Sequence, residues 1–472
     1  MKNKPIHILR YGTVGEKIHL EKAISSYDYL SINGNSAAYV SSAIAKFIVE
    51  KFFSNPEKGY FIDPITYAFQ DEIKLLWNKS KATGQETIKK SIKKLIDSYG
   101  FPATKAENKT PISITDFDAL ETKESFCKNV LSFQYNLVYD HIKENDLEKY
   151  ISYISPKQAK NIPQLRPKFL IAPYFYLDAK NTDFDKWLDL NIQFLDMSIS
   201  KSQIEFSNID VYGQIVISKS VLSDNFYIEK IANAYSNSKC TGLTIWVDDL
   251  NEHEATQQEL KGFINILQSI KEKTDKPILN MYGGYFSILL SHKELGLLSG
   301  VSHGLEYGES RKVYPVGGGI PVSKYYYYPL HQRMDFTKAF YLFEHAGIID
   351  LNKENWGSTE KYFADICRCE QCKKVMSKEM INFVEFESRE FYEVKRNNQI
   401  LRRKKASSDT KQNCLYHYLL CKKIEFSSLS KAPLKSLLSD LYHSGALYSN
   451  CNSIKENELE YTSIWYDVLS HN

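Results

Sequence analysis

The chain has 472 residues, enough for two to three average domains or one large barrel with an appendage. Hydrophobic residues at 43% and charged residues at 25% are ordinary for a globular protein, and a net charge of +3 is too small to argue for nucleic acid by itself. Met1-Lys2-Asn3-Lys4-Pro5 is charged with no apolar run behind it, which argues against a signal peptide, and no apolar stretch approaches a membrane span.

In chain order, short apolar runs alternate with helical patterns. Leu30-Ser31-Ile32-Asn33-Gly34 reads as the first strand and is followed by an Ala-rich helix through Val49. Tyr60-Phe61-Ile62-Asp63-Pro64 is the next strand, ended by its proline. From about 71 to 165 the spacing turns helical (Ile88, Ile92, Leu95 and Ile96, then Val130, Phe133, Leu137 and Ile142), which predicts a helical insertion. Strands resume at 168–175, 211–217, 242–247, 277–282 and 300–307, with helices near 187–195, 224–236, 254–272 and 285–295. That cadence means parallel strands joined by crossover helices, and seven or so units favour a TIM-type (β/α)8 barrel over an open sheet. No glycine-rich dinucleotide fingerprint opens the first unit, which counts against a Rossmann fold. The expected organisation is a barrel over 1–345, a zinc-binding helical segment over 346–425 and a helical tail over 426–472.

Beyond the barrel, 315–321 reads as a flexible loop and Tyr325-Tyr326-Tyr327-Tyr328 as an aromatic strand. Cys367-Arg368-Cys369-Glu370-Gln371-Cys372 then gathers three of the eight cysteines into six residues, a spacing that suits one tetrahedral zinc ion. The fourth ligand is expected from Cys414, His417 or Cys421, with His417 leading because imidazole is the common partner of three thiolates. Such a closed site is structural. A thiolate cluster also implies a reducing compartment, so the cytoplasm is the expected location. Between cluster and fourth ligand lies the most basic stretch of the chain, Lys395, Arg396, Arg402, Arg403, Lys404, Lys405 and Lys411, read as a solvated or phosphate-contacting loop.

In a parallel barrel, function collects at the C-terminal strand ends. That rule selects Asp63, Asp248, Asp249, Gly283, Gly284, Glu306, Glu309 and Arg311. The carboxylates suit acid, base or nucleophile roles, and the glycines suit close approach of a ligand. Asp249 is expected to cap the following helix, which leaves Asp248 as the acting member of that pair. His303, inside the last strand, suits either core packing or a ligand.

A barrel followed by Cys-x-Cys-x-x-Cys and a helix-borne fourth ligand resembles the tRNA-guanine transglycosylase superfamily, which includes DNA-modifying relatives. Phe61 to Gln70 is similar to the family's Asp-Ser-Gly-Gly-Phe-Gln motif, keeping the Asp and the Phe-Gln pair. Tyr212 to Val216 resembles its central glutamine strand, and Pro277 to Gly284 followed by Gly300-Val301 its Leu-Met-Gly-Val-Gly region. Gly300 to Arg311 parallels the strand that carries the nucleophilic Asp. The resemblance covers about 30–75 and 168–425 in scattered pieces. Four features depart from it: the nucleophile position falls on Leu305 or Glu306, the strand that should offer a base-reading Asp reads Ala172-Pro173-Tyr174-Phe175, the glycines of the early motif are replaced, and the spacing from Cys372 to His417 is longer than the family's.

The resemblance implies exchange of a purine base in tRNA or DNA through a glycosyl-enzyme intermediate. Asp63 would orient or deprotonate, Glu306 would be the nucleophile, and Asp248 would join the catalytic set. Tyr67, Gln214, Tyr282, Gly283, Gly284, His303 and Arg311 would bind the base or substrate. Arg402, Arg403, Lys404 and Lys405 would contact nucleic acid, and zinc would be the structural cofactor. A purine or 7-deazapurine base and a homodimer are further expected partners, and a membrane is not. The alternatives are a non-catalytic relative that binds nucleic acid or a protein, and an unrelated barrel hydrolase with a structural zinc.

Overall fold

A computed structural model describes the chain except residues 1–3, 13–16, 53–54, 56, 81–82, 143–144, 146–164, 307, 315–321, 355, 397–398, 406 and 471–472. The loop 315–321 and much of the end of the 71–165 segment therefore lie outside the described residues.

Eight parallel strands form a nearly closed barrel of the TIM type: β1 (Ile6–Tyr11), β2 (Tyr29–Asn33), β3 (Gly59–Asp63), β4 (Leu170–Ile171), β5 (Val211–Ile217), β6 (Gly242–Val247), β7 (Ile278–Asn280) and β8 (Gly300–His303). They pair in the order β3-β2-β1-β8-β7-β6-β5-β4. The seam between β3 and β4 is bridged by the Lys168 amide donating to the Tyr60 carbonyl at 2.8 Å. β1 was not expected. Its Ile-His-Ile-Leu-Arg-Tyr run sits against the chain start, yet it pairs with both β2 and β8 and completes the eight.

The 71–165 segment is mixed. It holds a small hairpin (Trp77–Lys79 with Glu86–Ile88), a helix Lys90–Tyr99 and a long helix Leu120–His141. The long helix packs between helices Ser41–Phe52 and Phe184–Glu205 on the barrel's outer layer. Its buried Gln134 accepts from the Ile171 amide at 2.9 Å and donates to the Ile171 carbonyl at 2.8 Å, extending the edge of β4.

β4 is much shorter than the 168–175 run, and the reason is Pro173, which has no N–H to give a ladder. Side chains replace the missing strand partners. Thr66 accepts from the Tyr174 amide at 2.8 Å, Gln70 from the Tyr176 amide at 2.7 Å and Asn191 from the Phe175 amide at 2.7 Å. The backbone of 172–176 is thereby satisfied while it leaves the sheet.

The helix that follows β8 is displaced far along the chain. Residues 304–407 intervene before Ser408–Ser428 returns to pack against β1 and β8. That excursion carries the strand pair Tyr325–Tyr327 and Gln332–Met334, the cysteine cluster, and an antiparallel hairpin, Glu390–Arg396 with Gln399–Lys405. The basic stretch read as a loop is this hairpin. Leu434–Tyr448 and Glu460–Ser470 then pack on each other as the helical tail, with Trp465 fully buried. No helix among the described residues is long and apolar enough to cross a membrane.

Candidate functional site: the barrel mouth and the metal cluster

The irregular 172–176 segment places two tyrosines over the C-terminal mouth of the barrel. Tyr174 donates to Asp63 Oδ1 at 2.5 Å, and Tyr176 donates to Asp248 Oδ2 at 3.1 Å. Each acid has a second donor from backbone: Ile65 N to Asp63 Oδ1 at 3.0 Å, and Val313 N to Asp248 Oδ1 at 2.7 Å. Asp63 is 3% exposed, and burial pushes its pKa up against the Tyr174 and Ile65 hydrogen bonds and the Arg311 charge.

Around the acids stand aromatic rings and two arginines. Tyr67 meets the Trp246 ring edge-on at 5.4 Å, and Trp246 meets Tyr282 at 4.5 Å. Arg311 Nη1 donates to the Tyr282 hydroxyl at 2.9 Å. Arg10, from β1, lies 4.2 Å over the Tyr282 ring and donates to the carbonyls of Met281, Ser302 and Gly308. Residues 311–314 lie across the mouth. The Arg311 carbonyl accepts from Trp246 Nε1 at 3.1 Å, and the Tyr314 hydroxyl donates to Asp71 Oδ2 at 3.1 Å. Beneath this cover Tyr67, Trp246 and Tyr282 are 2%, 1% and 8% exposed.

The mouth thus brings together Asp63, Asp248, Tyr67, Tyr282 and Arg311. Other expected residues go elsewhere. Glu306 is ion-paired with Lys411, in the first turn of the outer helix Ser408–Ser428, and does not meet Asp63. His303 is on the outer face of β8, its Nε2 3.0 Å from His7 Nε2 and its ring edge-on to Tyr418 of the same helix. It packs instead of facing the mouth. Gln214 is buried inside the barrel and accepts from the Thr244 hydroxyl at 2.5 Å. Asp249 caps no helix: its backbone is left-handed (φ 52°), its amide donates to Arg311 O at 3.0 Å, and Thr256 caps the helix Gln257–Lys273.

Gly283 and Gly284 make room for the protein's own side chains. A Cβ on Gly283 would lie 2.7 Å from Asn280 and Ser287, and one on Gly284 would lie 2.4 Å from Glu309 Oε2 and 2.8 Å from Glu252 Oε2. Glu252 is buried and accepts from the amides of Phe286 and Ser287 and the Ser287 hydroxyl. Burial, with Glu309 adding to it, pushes Glu252 up to about 7. Glu309 is held down to about 2, against its burial, by Lys422 and Arg333, with Lys422 Nζ 3.0 Å away. The fully buried Lys422 also pairs with Glu425 at 3.0 Å, and Glu425 accepts from Tyr326 at 2.5 Å and lies 2.7 Å from His331 Nδ1.

The second cluster takes one donor from helix Ser408–Ser428, which also carries Lys422 and Glu425. The sulfurs of Cys367, Cys369 and Cys372 and a ring nitrogen of His417 lie within 4.8 Å of one another, all buried, so they can close on one metal ion. His417 Nδ1 is 3.9, 3.4 and 3.2 Å from the three sulfurs in that order. Bond lengths of about 2.3 Å to sulfur and about 2.0–2.1 Å to nitrogen put tetrahedral ligands roughly 3.6 Å apart, so the donor set fits. His417 Nε2 faces the Tyr326 carbonyl at 2.6 Å, which makes Nε2 the protonated nitrogen and frees Nδ1 for a metal. Cys414 stands apart and donates to Phe386 O at 3.5 Å.

Sequence reading missed Arg10, Tyr174, Tyr176, Trp246, Glu252 and Lys422 as parts of these sites. The one usable signal was Ala172-Pro173-Tyr174-Phe175-Tyr176, where a proline inside a strand-like run marks a departure from the ladder. Arg402, Arg403, Lys404 and Lys405 are exposed on the second hairpin strand, with Lys404 3.6 Å from Glu387 and Lys405 3.9 Å from Glu390. In comparisons with known proteins, no protein-family model matches this chain and no curated protein matches it in sequence.

Proposed function

We propose that this protein is a glycosyl-transfer enzyme that exchanges or modifies a purine base in tRNA or DNA. The observation that carries the reading is the pair of mouth acids, the buried Asp63 and the half-buried Asp248, each held by a tyrosine hydroxyl among stacking rings and two arginines. A base extruded from nucleic acid needs such a place: flat apolar faces to stack on and fixed polar groups to read its edge. Tyr67, Trp246 and Tyr282 supply the faces, and Arg311 supplies a donor.

With Glu306 drawn to Lys411, the nucleophile falls to the mouth acids. Asp248 attacks the anomeric carbon of the nucleotide, a carbon–oxygen bond forms as the bond to the base breaks, and the base leaves with its electron pair. Asp63, whose pKa burial raises, holds the proton that the departing base takes up. The incoming base returns that proton and displaces the Asp248 oxygen. In this reading zinc at Cys367, Cys369, Cys372 and His417 is structural, and the basic hairpin contacts phosphates.

Incubation with tRNA or DNA and a labelled base, followed by denaturation, tests this. A covalent adduct is expected, lost in Asp248→Asn and retained in Glu306→Gln. Loss in Glu306→Gln alone would return the nucleophile to that residue. A second reading, a non-catalytic relative that binds nucleic acid or a protein, is favoured by the cover of 311–314 over the mouth. Failure to exchange any base offered would leave that reading in place.

A further inference from the structure

The helix Ser408–Ser428 offers the cysteine cluster two donors. His417 and Cys421 are four residues apart, so one turn sets both on the same face. Cys421 Sγ lies 3.7 Å from Cys367 Sγ and 3.6 Å from His417 Nδ1. Two thiolates on one tetrahedral zinc stand about 3.8 Å apart, given bonds of about 2.3 Å, so the Cys421–Cys367 separation is that of two ligands of one ion. The side chain is fully buried. Cys414, on the same helix, shows the contrast, since its thiol is committed to the Phe386 carbonyl.

We propose that Cys421 is a fifth donor of this site, an alternative fourth ligand that exchanges with His417. The ion is then held either by three thiolates and an imidazole or by four thiolates. Zinc has no geometric preference from its d-electrons, so both tetrahedral sets are open to it. Cys421 already stands at ligand spacing from Cys367 and beside the imidazole it would replace, so the exchange asks for a short shift of its thiol toward Cys369 and Cys372. It gives the site a reserve ligand and, in its four-thiolate form, a softer donor set that favours ions such as cadmium.

This inference rests on the metal reading of the cluster, and the test separates the two. Zinc per chain is measured for wild type, Cys421→Ser, His417→Ala and the double variant, all prepared without chelator, with Cys414→Ser as the control for removing a thiol from this helix. Each protein is also loaded with cobalt and its optical spectrum recorded. An ion-free wild type would remove the metal site altogether. With an ion present, both single variants are expected to keep about one equivalent and the double variant to lose it. The sulfur-to-cobalt band should be about a third stronger in His417→Ala, with four thiolates, than in Cys421→Ser, with three. Loss of metal from His417→Ala as complete as from the double variant would overturn the exchange, as would an ion-free Cys421→Ser. If changes at 417 prevent folding, wild type against Cys421→Ser decides: a stronger wild-type band supports the fifth donor, and identical bands refute it.

Discussion

The metal cluster and the barrel mouth are assembled by opposite means. Three of the cluster's four candidate donors come from six consecutive residues, and the fourth from one helix. The mouth draws Arg10, Asp63, Tyr174, Asp248, Tyr282 and Arg311 from β1, β3 and the segments after β4, β6, β7 and β8. A local site could be closed by one ion, whereas a distributed site depends on the whole barrel. The two meet on helix Ser408–Ser428, where His417 faces the cysteines while Tyr418 and Lys422 hold Glu309 beside Gly284.

The largest effect is expected at the ion. Cys369→Ser removes a ligand whose metal binding is coupled to folding, and structural zinc contributes about 10–16 kcal/mol in small zinc domains. The variant should contain less than half an equivalent of zinc and melt well below wild type, as elemental analysis and thermal unfolding would show. Full metal content with an unchanged melting temperature would contradict a structural role. Next comes the shared helix. Lys422→Met takes the ion-pair partner from the buried Glu425 and from the partly buried Glu309, which keeps Arg333, a loss of about 3–5 kcal/mol. Urea unfolding should show the loss while zinc content stays at the wild-type level. Loss of zinc as well would mean that the two sites are one unit.

A smaller effect separates the mouth by pH. Glu252 has a folded pKa of about 7, above the ordinary carboxyl value of 4.5. A raised pKa means the folded state holds the proton more tightly, so its contribution is full below pH 4.5 and is lost as pH rises to about 7. Its neighbours Glu309 and Lys422 share the same surroundings. Glu252→Gln should therefore remove part of the stability decline between pH 4.5 and 7, on the order of 1–3 kcal/mol. Parallel pH–stability curves for variant and wild type would show that Glu252 does not titrate there.

What could be read from sequence follows the same division. Seven of the eight strands announce themselves as apolar runs, and the Cys-x-Cys-x-x-Cys spacing needs no tertiary information. β1 did not stand out, because a six-residue run next to a charged start lacks a preceding unit to set its cadence. Glu306 and Asp248 both follow the end of an apolar run in sequence, yet Glu306 lies three residues past the end of β8 and is drawn to Lys411 of helix Ser408–Ser428. Pro173 marks where Tyr174 and Tyr176 leave the ladder, but not where their side chains go. Alternation would send them along a strand, and the side chains of Thr66 and Gln70, far upstream in the chain, decide otherwise.

The smallest effect on stability is expected at the hairpin, which both sites leave exposed. Its root is tied to helix Ser408–Ser428 by the Thr410 hydroxyl on Glu387 O at 3.0 Å and Asn413 Nδ2 on Glu385 O at 3.2 Å. Beyond that root, Arg402, Arg403, Lys404 and Lys405 are surface-exposed, so neutralising all four should change stability by no more than about 0.5 kcal/mol. Nucleic-acid binding should respond differently. Removing one cation from a phosphate flattens the dependence of log affinity on log salt by about 0.9 for duplex DNA, so removing four flattens it by about 3.6. Filter binding across a salt series measures that slope. A flattened slope with an unchanged urea midpoint assigns the hairpin to the nucleic-acid interface. If the slope of the quadruple variant matches wild type, the hairpin lies outside that interface, and any phosphate contacts come from other cations of the chain.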